Sequence, residues 1–79
     1  MKLTVRTFGI VHDILGGRLV EIELNNNSVA DLRAALDASY PALRDIRSLL
    51  IAVNQNYADD NVLLKAEDEI ALIPPVSGG

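Results

Sequence analysis

The chemistry open to this chain is concentrated at its carboxyl end, Pro74-Pro75-Val76-Ser77-Gly78-Gly79. There is no cysteine, so no disulfide, thiolate metal site or cysteine nucleophile is available. The single histidine, His12, cannot assemble a metal site alone, and no metal is expected. His12 stands in a mixed polar and apolar segment and reads as a surface residue. What remains is the carboxylate of Gly79. Gly78 and Gly79 carry no side chains, so this end can thread a slot too narrow for any Cβ. Fully extended, the segment from Pro74 onward spans roughly 20 Å at about 3.3–3.6 Å per residue. That is enough to carry a reactive end from a folded body into another protein. A frayed end without function has the same local sequence, and the elements upstream must decide between the two.

Those elements fit in one domain of 79 residues. Hydrophobic residues make up 49% of the chain and aromatics only 4%, so aliphatic side chains must build the core. The net charge of −4 argues against a nucleic-acid surface, which needs clustered Lys and Arg. It is compatible with a partner that presents a basic docking face. No apolar run is long enough to span a membrane, and the first residues lack a signal-peptide pattern. A soluble, cytoplasmic protein with no membrane partner is expected.

Lys2–Phe8 alternates, with Leu3, Val5 and Thr7 on one face, and reads as a half-buried strand. Gly9 breaks it. A short helical turn over Ile10–Leu15 is expected to turn Ile10, Ile14 and Leu15 inward. After Gly16-Gly17, Arg18–Leu24 alternates again as a second strand, antiparallel to the first. Ser28 is placed as a helix N-cap with Asp31 three residues on. Val29, Leu32, Ala35 and Leu36 form that helix's apolar stripe, and Asp31, Arg33 and Asp37 face water. Tyr40-Pro41 ends it, and Ala42–Arg47 forms a short further helix. Leu49–Val53 is continuously apolar and reads as a central strand buried on both faces. Turns follow at Asn54-Gln55-Asn56 and Asp59-Asp60-Asn61, on either side of a very short strand at Tyr57-Ala58. Val62–Leu64 is a bridging piece and Lys65–Asp68 a loop. Glu69–Ile73 is the last strand. Pro74 stops its ladder for want of an N–H, and the Pro-Pro pair stiffens and aims the exit. The division is therefore a body over residues 1–73 and a tail over residues 74–79. One main helix on a small mixed sheet of four to five strands, an α+β fold, fits the order.

The ending Asp68-Glu69-Ile70-Ala71-Leu72-Ile73-Pro74-Pro75-Val76-Ser77-Gly78-Gly79 resembles the small-subunit family of molybdopterin synthase. So do Val53-Asn54-Gln55 with Tyr57-Ala58, the helix at Val29–Leu36, and an opening strand that runs into Phe8 and a short helix up to Gly16. The resemblance covers nearly the whole chain. It implies a β-grasp, ubiquitin-like fold. It implies that an ATP-dependent adenylyltransferase activates the Gly79 carboxylate, and that a sulfur donor protein then helps convert it to a thiocarboxylate. The large subunit, in a heterotetramer of two small and two large chains, would take the tail in. Sulfur would pass to a cyclic pyranopterin to build the dithiolene of molybdopterin. No cofactor is bound by this chain on that reading, since ATP is used by its partner and the catalytic groups belong to the large subunit. Two departures from the family pattern stand out. Glu67 occupies a turn position where glycine is usual, and His12-Asp13 stand where Arg-Glu is common.

Gly79 is thus the expected reacting residue, and Gly78, Ser77, Val76, Pro75 and Pro74 the threading segment. Ile73 is an interface candidate, with core burial as its alternative. Asp59, Asp60, Glu67, Asp68 and Glu69 either add charge at an interface rim or are solvated loops. Three other functions share the pattern: a sulfur carrier for the thiamin thiazole, a ubiquitin-like protein modifier, and a β-grasp interaction module whose tail is incidental.

Overall fold

The computed structural model describes residues 1–46 and 48–75. β1 (Lys2–Thr7) buries Leu3, Val5 and Thr7 on alternate positions. Thr7 is the polar exception in the core. Its hydroxyl donates to the Gly17 carbonyl and its N–H to the Arg18 carbonyl at 2.9 Å, so burial leaves neither donor unpaired. α1 (Ile10–Leu15) corrects one expectation. Val11 and Leu15 are its buried residues, Ile14 is half-buried, and Ile10 faces outward. Positions four apart share a helix face, so turning Leu15 inward brings Val11 with it and leaves Ile10 outside. Gly16 closes α1 with a left-handed φ of 82°.

β2 (Leu19–Glu23) pairs antiparallel with β1, Leu3 opposite Ile22 and Val5 opposite Val20. α2 (Val29–Ser39) begins in a complete capping box. Ser28 Oγ accepts from the Asp31 N–H at 3.1 Å, and Asp31 Oδ2 accepts from the Ser28 N–H at 3.1 Å. Val29, Leu32 and Leu36 are its buried residues, and Ala35 packs at the margin. Asp31, Arg33 and Asp37 are half-buried rather than open to water. Arg33 is the clearest case: Nε donates to Asp60 Oδ1 at 3.1 Å and Nη1 to the Leu49 carbonyl at 2.8 Å. The guanidinium therefore ties α2 to the Asp59–Val62 turn and to the approach to the next strand. A 3₁₀ helix at Pro41–Asp45 follows α2. Proline opens that helix, as its missing N–H permits; residue 47, at the expected far end, lies outside the described residues.

β3 (Leu50–Val53) is not the centre of the sheet. The strand order is β2-β1-β5-β3-β4, which makes β5 (Ile70–Ile73) the middle strand. β5 runs parallel to β1 and antiparallel to β3. At its centre β3 is buried on both faces, Ile51 in the core and Ala52 on the opposite face, while Leu50 is exposed. The two-residue turn Asn54-Gln55 has φ of 52° and 73°, the positive values a tight hairpin requires. It leads into β4, which is Asn56–Tyr57, one residue earlier than expected. Ser28 bridges to Leu63. Glu67 does not have a positive φ, so the turn before β5 needs no glycine.

Both helices lie against one face of the sheet. Leu3, Val5, Ile51, Ile70 and Leu72 meet Val11, Val29, Leu32 and Leu36 there in a single aliphatic core. This is the β-grasp arrangement: a five-stranded mixed sheet wrapped on one principal helix.

Candidate functional site

The tail leaves from the middle of the sheet. β5 is hydrogen-bonded on both sides, to β1 through the register Thr7–Leu72 and to β3 through Leu50–Ile73. Ile70 and Leu72 are locked in the core at 2% and 0% exposure. A strand held on two edges and anchored below gives Pro74 and Pro75 a fixed point of departure.

Ile73, the last residue of β5, is half-buried and points away from the core, on the face that its register partner Leu50 shares. Core burial belongs to its neighbour Leu72. Pro74 is half-buried and Pro75 exposed. Pro74 lies against Gly9, where a Cβ would stand 3.3 Å from Pro74 Cγ. Gly9 also has φ 55° and ψ −132°, a conformation open essentially to glycine alone. It lets the β1–α1 connection pass close beneath the tail root. Val76, Ser77, Gly78 and Gly79 lie outside the described residues.

The sheet face without helices surrounds this root. A single register row crosses it: Leu19, Arg6, Ala71, Ala52 and Tyr57. Phe8, Leu19 and Tyr57 are 44%, 61% and 70% exposed on a chain with few aromatics. Together with Ile73 they line an open groove of about 450 Å³. Exposed large apolar side chains gathered in one groove are the composition of a protein-contact surface, here mixed with Arg6, Asp68 and Glu69. The far end of β5 has a different character. Asp68 accepts from the Lys65 N–H at 2.8 Å and from Asn54 Nδ2 at 3.0 Å. These bonds, the Lys65 backbone one foremost, hold its carboxyl below the ordinary aspartate range. That is a turn-stabilising arrangement at the opposite end of β5 from the tail root, although Asp68 and Glu69 line the same groove as Ile73.

His12 is exposed, with Nδ1 3.5 Å from Asp13 Oδ1. Among the described residues no group of three or more His, Cys, Asp or Glu side chains could hold a metal ion. No described helix is long and apolar enough to cross a membrane. What the body offers is a rigidly rooted tail beside an apolar contact face.

Sequence reasoning named Ile73, Pro74 and Pro75 and missed Gly9, Leu19 and Tyr57. Gly9 carried a local signal, a glycine ending a strand. Leu19 and Tyr57 carried none, because they join the site only through strand pairing.

The sequence model of the ThiS family matches residues 5–79. The chain belongs to the ThiS family. A relative of this ThiS-family chain, the molybdopterin synthase sulfur carrier subunit of Arabidopsis thaliana, is 42% identical over 83 residues. That alignment takes in 100% of this chain and 84% of the relative. Among solved structures, SAMP1 from Haloferax volcanii matches with a TM-score of 0.83 at 27% identity, covering 100% of both chains. A chain in the protein–protein complex of subunits 1 and 2 of molybdopterin-converting factor from Helicobacter pylori 26695 matches at TM-score 0.69 and 32% identity, again over 100% of both. ThiS-family membership and the β-grasp fold therefore rest on sequence and on shape together.

Proposed function

We propose that this chain is the sulfur carrier of molybdopterin synthase, acting in molybdenum cofactor biosynthesis through the carboxyl group of Gly79. The observation that carries the reading is the 42% identity, over the whole chain, to a protein named as that carrier subunit. The rooted tail and the apolar face beside it supply what such a carrier needs.

The chemistry divides between chain and partners. A carboxylate is a poor electrophile, being anionic and resonance-stabilised. Its oxygen attacks the α-phosphorus of ATP on an adenylating enzyme, and pyrophosphate leaves. Sulfur supplied by a donor protein at the sulfide level then adds to the acyl carbon, and AMP leaves, giving the thiocarboxylate. On the large subunit this sulfur attacks an oxygen-bearing carbon of the cyclic pyranopterin monophosphate, the C–O bond breaks and the oxygen substituent leaves. Water cleaves the acyl–sulfur bond and returns Gly79 to a carboxylate. Two such deliveries make one dithiolene. Tethering the sulfur to a protein raises its effective concentration at the acceptor and keeps free sulfide out of solution. Val76, Ser77 and Gly78 thread the partner, Pro74 and Pro75 aim them, and Ile73 contributes to the contact at the root. The assembly is two small and two large subunits, located in the cytoplasm.

A single-turnover reaction tests this. Thiocarboxylated protein is mixed with the large subunit and the cyclic precursor, and dithiolene product is measured. Product is the expected result. No product, with the thiocarboxylate verified by intact mass and the large subunit active with another carrier, rejects the reading. The match to SAMP1, the small archaeal modifier protein 1 of Haloferax volcanii, favours a second reading as a protein modifier joined through Gly79 to lysine. Gly79-linked conjugates of the tagged protein in cells would support that alternative.

A further inference from the structure

The whole molecule is acidic, yet the end of the sheet from which the tail departs is not. Arg6 and Arg18 line one open groove of about 610 Å³, together with Phe8, Gly9, His12 and Leu19. Arg6 stands opposite Leu19 in the β1–β2 register, and Arg18 immediately precedes Leu19. Among the described residues neither guanidinium takes part in an ion pair or hydrogen bond, whereas Arg33 makes both. No carboxylate lines the groove; Asp13 is engaged with His12 outside it. The acids of the same face lie toward its other end. Glu21 stands opposite Thr4, and Glu23 stands opposite Lys2 and 3.6 Å from the amino terminus. Asp68 and Glu69, just before β5, line the neighbouring groove of about 450 Å³, which Arg6, Phe8 and Leu19 also border. The face thus runs from cationic at Arg18, through Arg6 at the boundary, to acidic where β5 begins.

We infer that Arg6 and Arg18, with Phe8 and Leu19, form the docking surface for a carboxylate-bearing patch on the large subunit that receives the tail. This rests on the function proposed above. Any protein that draws Gly79 into a slot must cover the end of the sheet where the tail is rooted. Arginine matches a carboxylate with two parallel N–H bonds, and arginine beside an aromatic is the usual composition of an interface anchor. The acids at the far end repel the same patch, so the polarity selects one docking orientation and steers the encounter. Two arginines on a chain of net charge −4 are too few for a phosphate polymer. Overall charge suggested a basic partner face; the local distribution points to an acidic one at the root.

The test measures binding of the large subunit from the same organism to wild-type protein and to the doubles R6E/R18E and R6K/R18K, at low and high salt. E21K serves as a control at the acidic end. Thermal melts of each variant check folding. R6E/R18E should weaken binding by about tenfold or more, chiefly through slower association, and the loss should shrink as salt rises. R6K/R18K should bind more tightly than R6E/R18E, and E21K should not weaken binding. Wild-type binding with R6E/R18E equal or tighter overturns the inference and leaves the functional reading standing. If wild type itself does not bind an active large subunit, both fall.

Discussion

Asn54 and Glu69 are bonded twice across the sheet. The Asn54 N–H donates to the Glu69 carbonyl at 2.7 Å, and the Glu69 N–H donates to Asn54 Oδ1 at 2.9 Å. One residue of the β3–β4 turn thereby serves both backbone groups of the residue that begins the approach to β5. Its Nδ2 secures Asp68 as well. Asn54→Ala should cost about 1–2 kcal/mol, read as a lower denaturant midpoint with unchanged slope. Asn54→Gly keeps the positive φ easily, so its difference from Asn54→Ala reports the backbone conformation, and the loss it still shows combines the side-chain bonds with glycine's greater freedom in the unfolded chain.

Gly9→Ala should destabilise the fold by about 1–3 kcal/mol, because its backbone conformation excludes a side chain. The same Cβ presses on Pro74. Sulfur transfer from a thiocarboxylated G9A protein should therefore fall at temperatures where its melting curve shows it fully folded. Unchanged transfer would separate Gly9 from the tail's aim.

Leu72 and Ile73 are neighbours on opposite faces and should behave oppositely. Leu72→Ala empties a fully buried site and should cost about 2–5 kcal/mol. Ile73→Ala should cost much less stability and should weaken large-subunit binding. Equal destabilisation by the two, measured by chemical unfolding, would assign Ile73 to the core.

Acid should loosen the molecule at two identifiable places. Hydrogen bonds from Ser28 depress Asp31, and those from Lys65 and Asn54 depress Asp68. A carboxyl depressed in the folded state binds fewer protons there than in the unfolded chain. Its contribution is complete above about pH 5 and fades as the pH falls further. S28A should flatten the acid side of the stability–pH curve and, through loss of the cap, lower stability at neutral pH by about 0.5–2 kcal/mol.

Adding one residue after Gly79 should abolish activity and leave the melting temperature unchanged, since it converts the reacting carboxyl into a peptide bond. An active extended protein whose intact mass shows no trimming would reject the proposed chemistry.

Much of this architecture is legible in the sequence, wherever the cause is local. The alternation of Leu3, Val5 and Thr7 and the Ser28–Asp31 cap each arise from residues within a turn or two of one another. Strand neighbours do not. Leu49–Val53 looks like the middle of the sheet because both its faces are apolar, and Ile51 and Ala52 are buried on the two faces, but beyond it lies only the two-residue β4. The middle position belongs to β5, which is no more hydrophobic. Arg33 likewise reads as a solvated helix residue until the Asp59–Val62 turn is folded over it. The candidate site divides in the same way. Ile73, Pro74 and Pro75 are contiguous and visible, whereas Arg6, Leu19 and Tyr57 assemble only through register.

The parallel pairing of β1 with β5 joins the first strand of the chain to the last. Such distant contacts form late in folding, because a long loop must close first. On a ribosome, the sheet must therefore wait for its middle strand until residues 70–73 have been made. A chain cut short before Ile70 lacks that strand and leaves β1 and β3 with nothing between them. Residues that follow β5 are therefore made only after every strand of the sheet, so products truncated before β5 are poor competitors for the proteins that handle the tail.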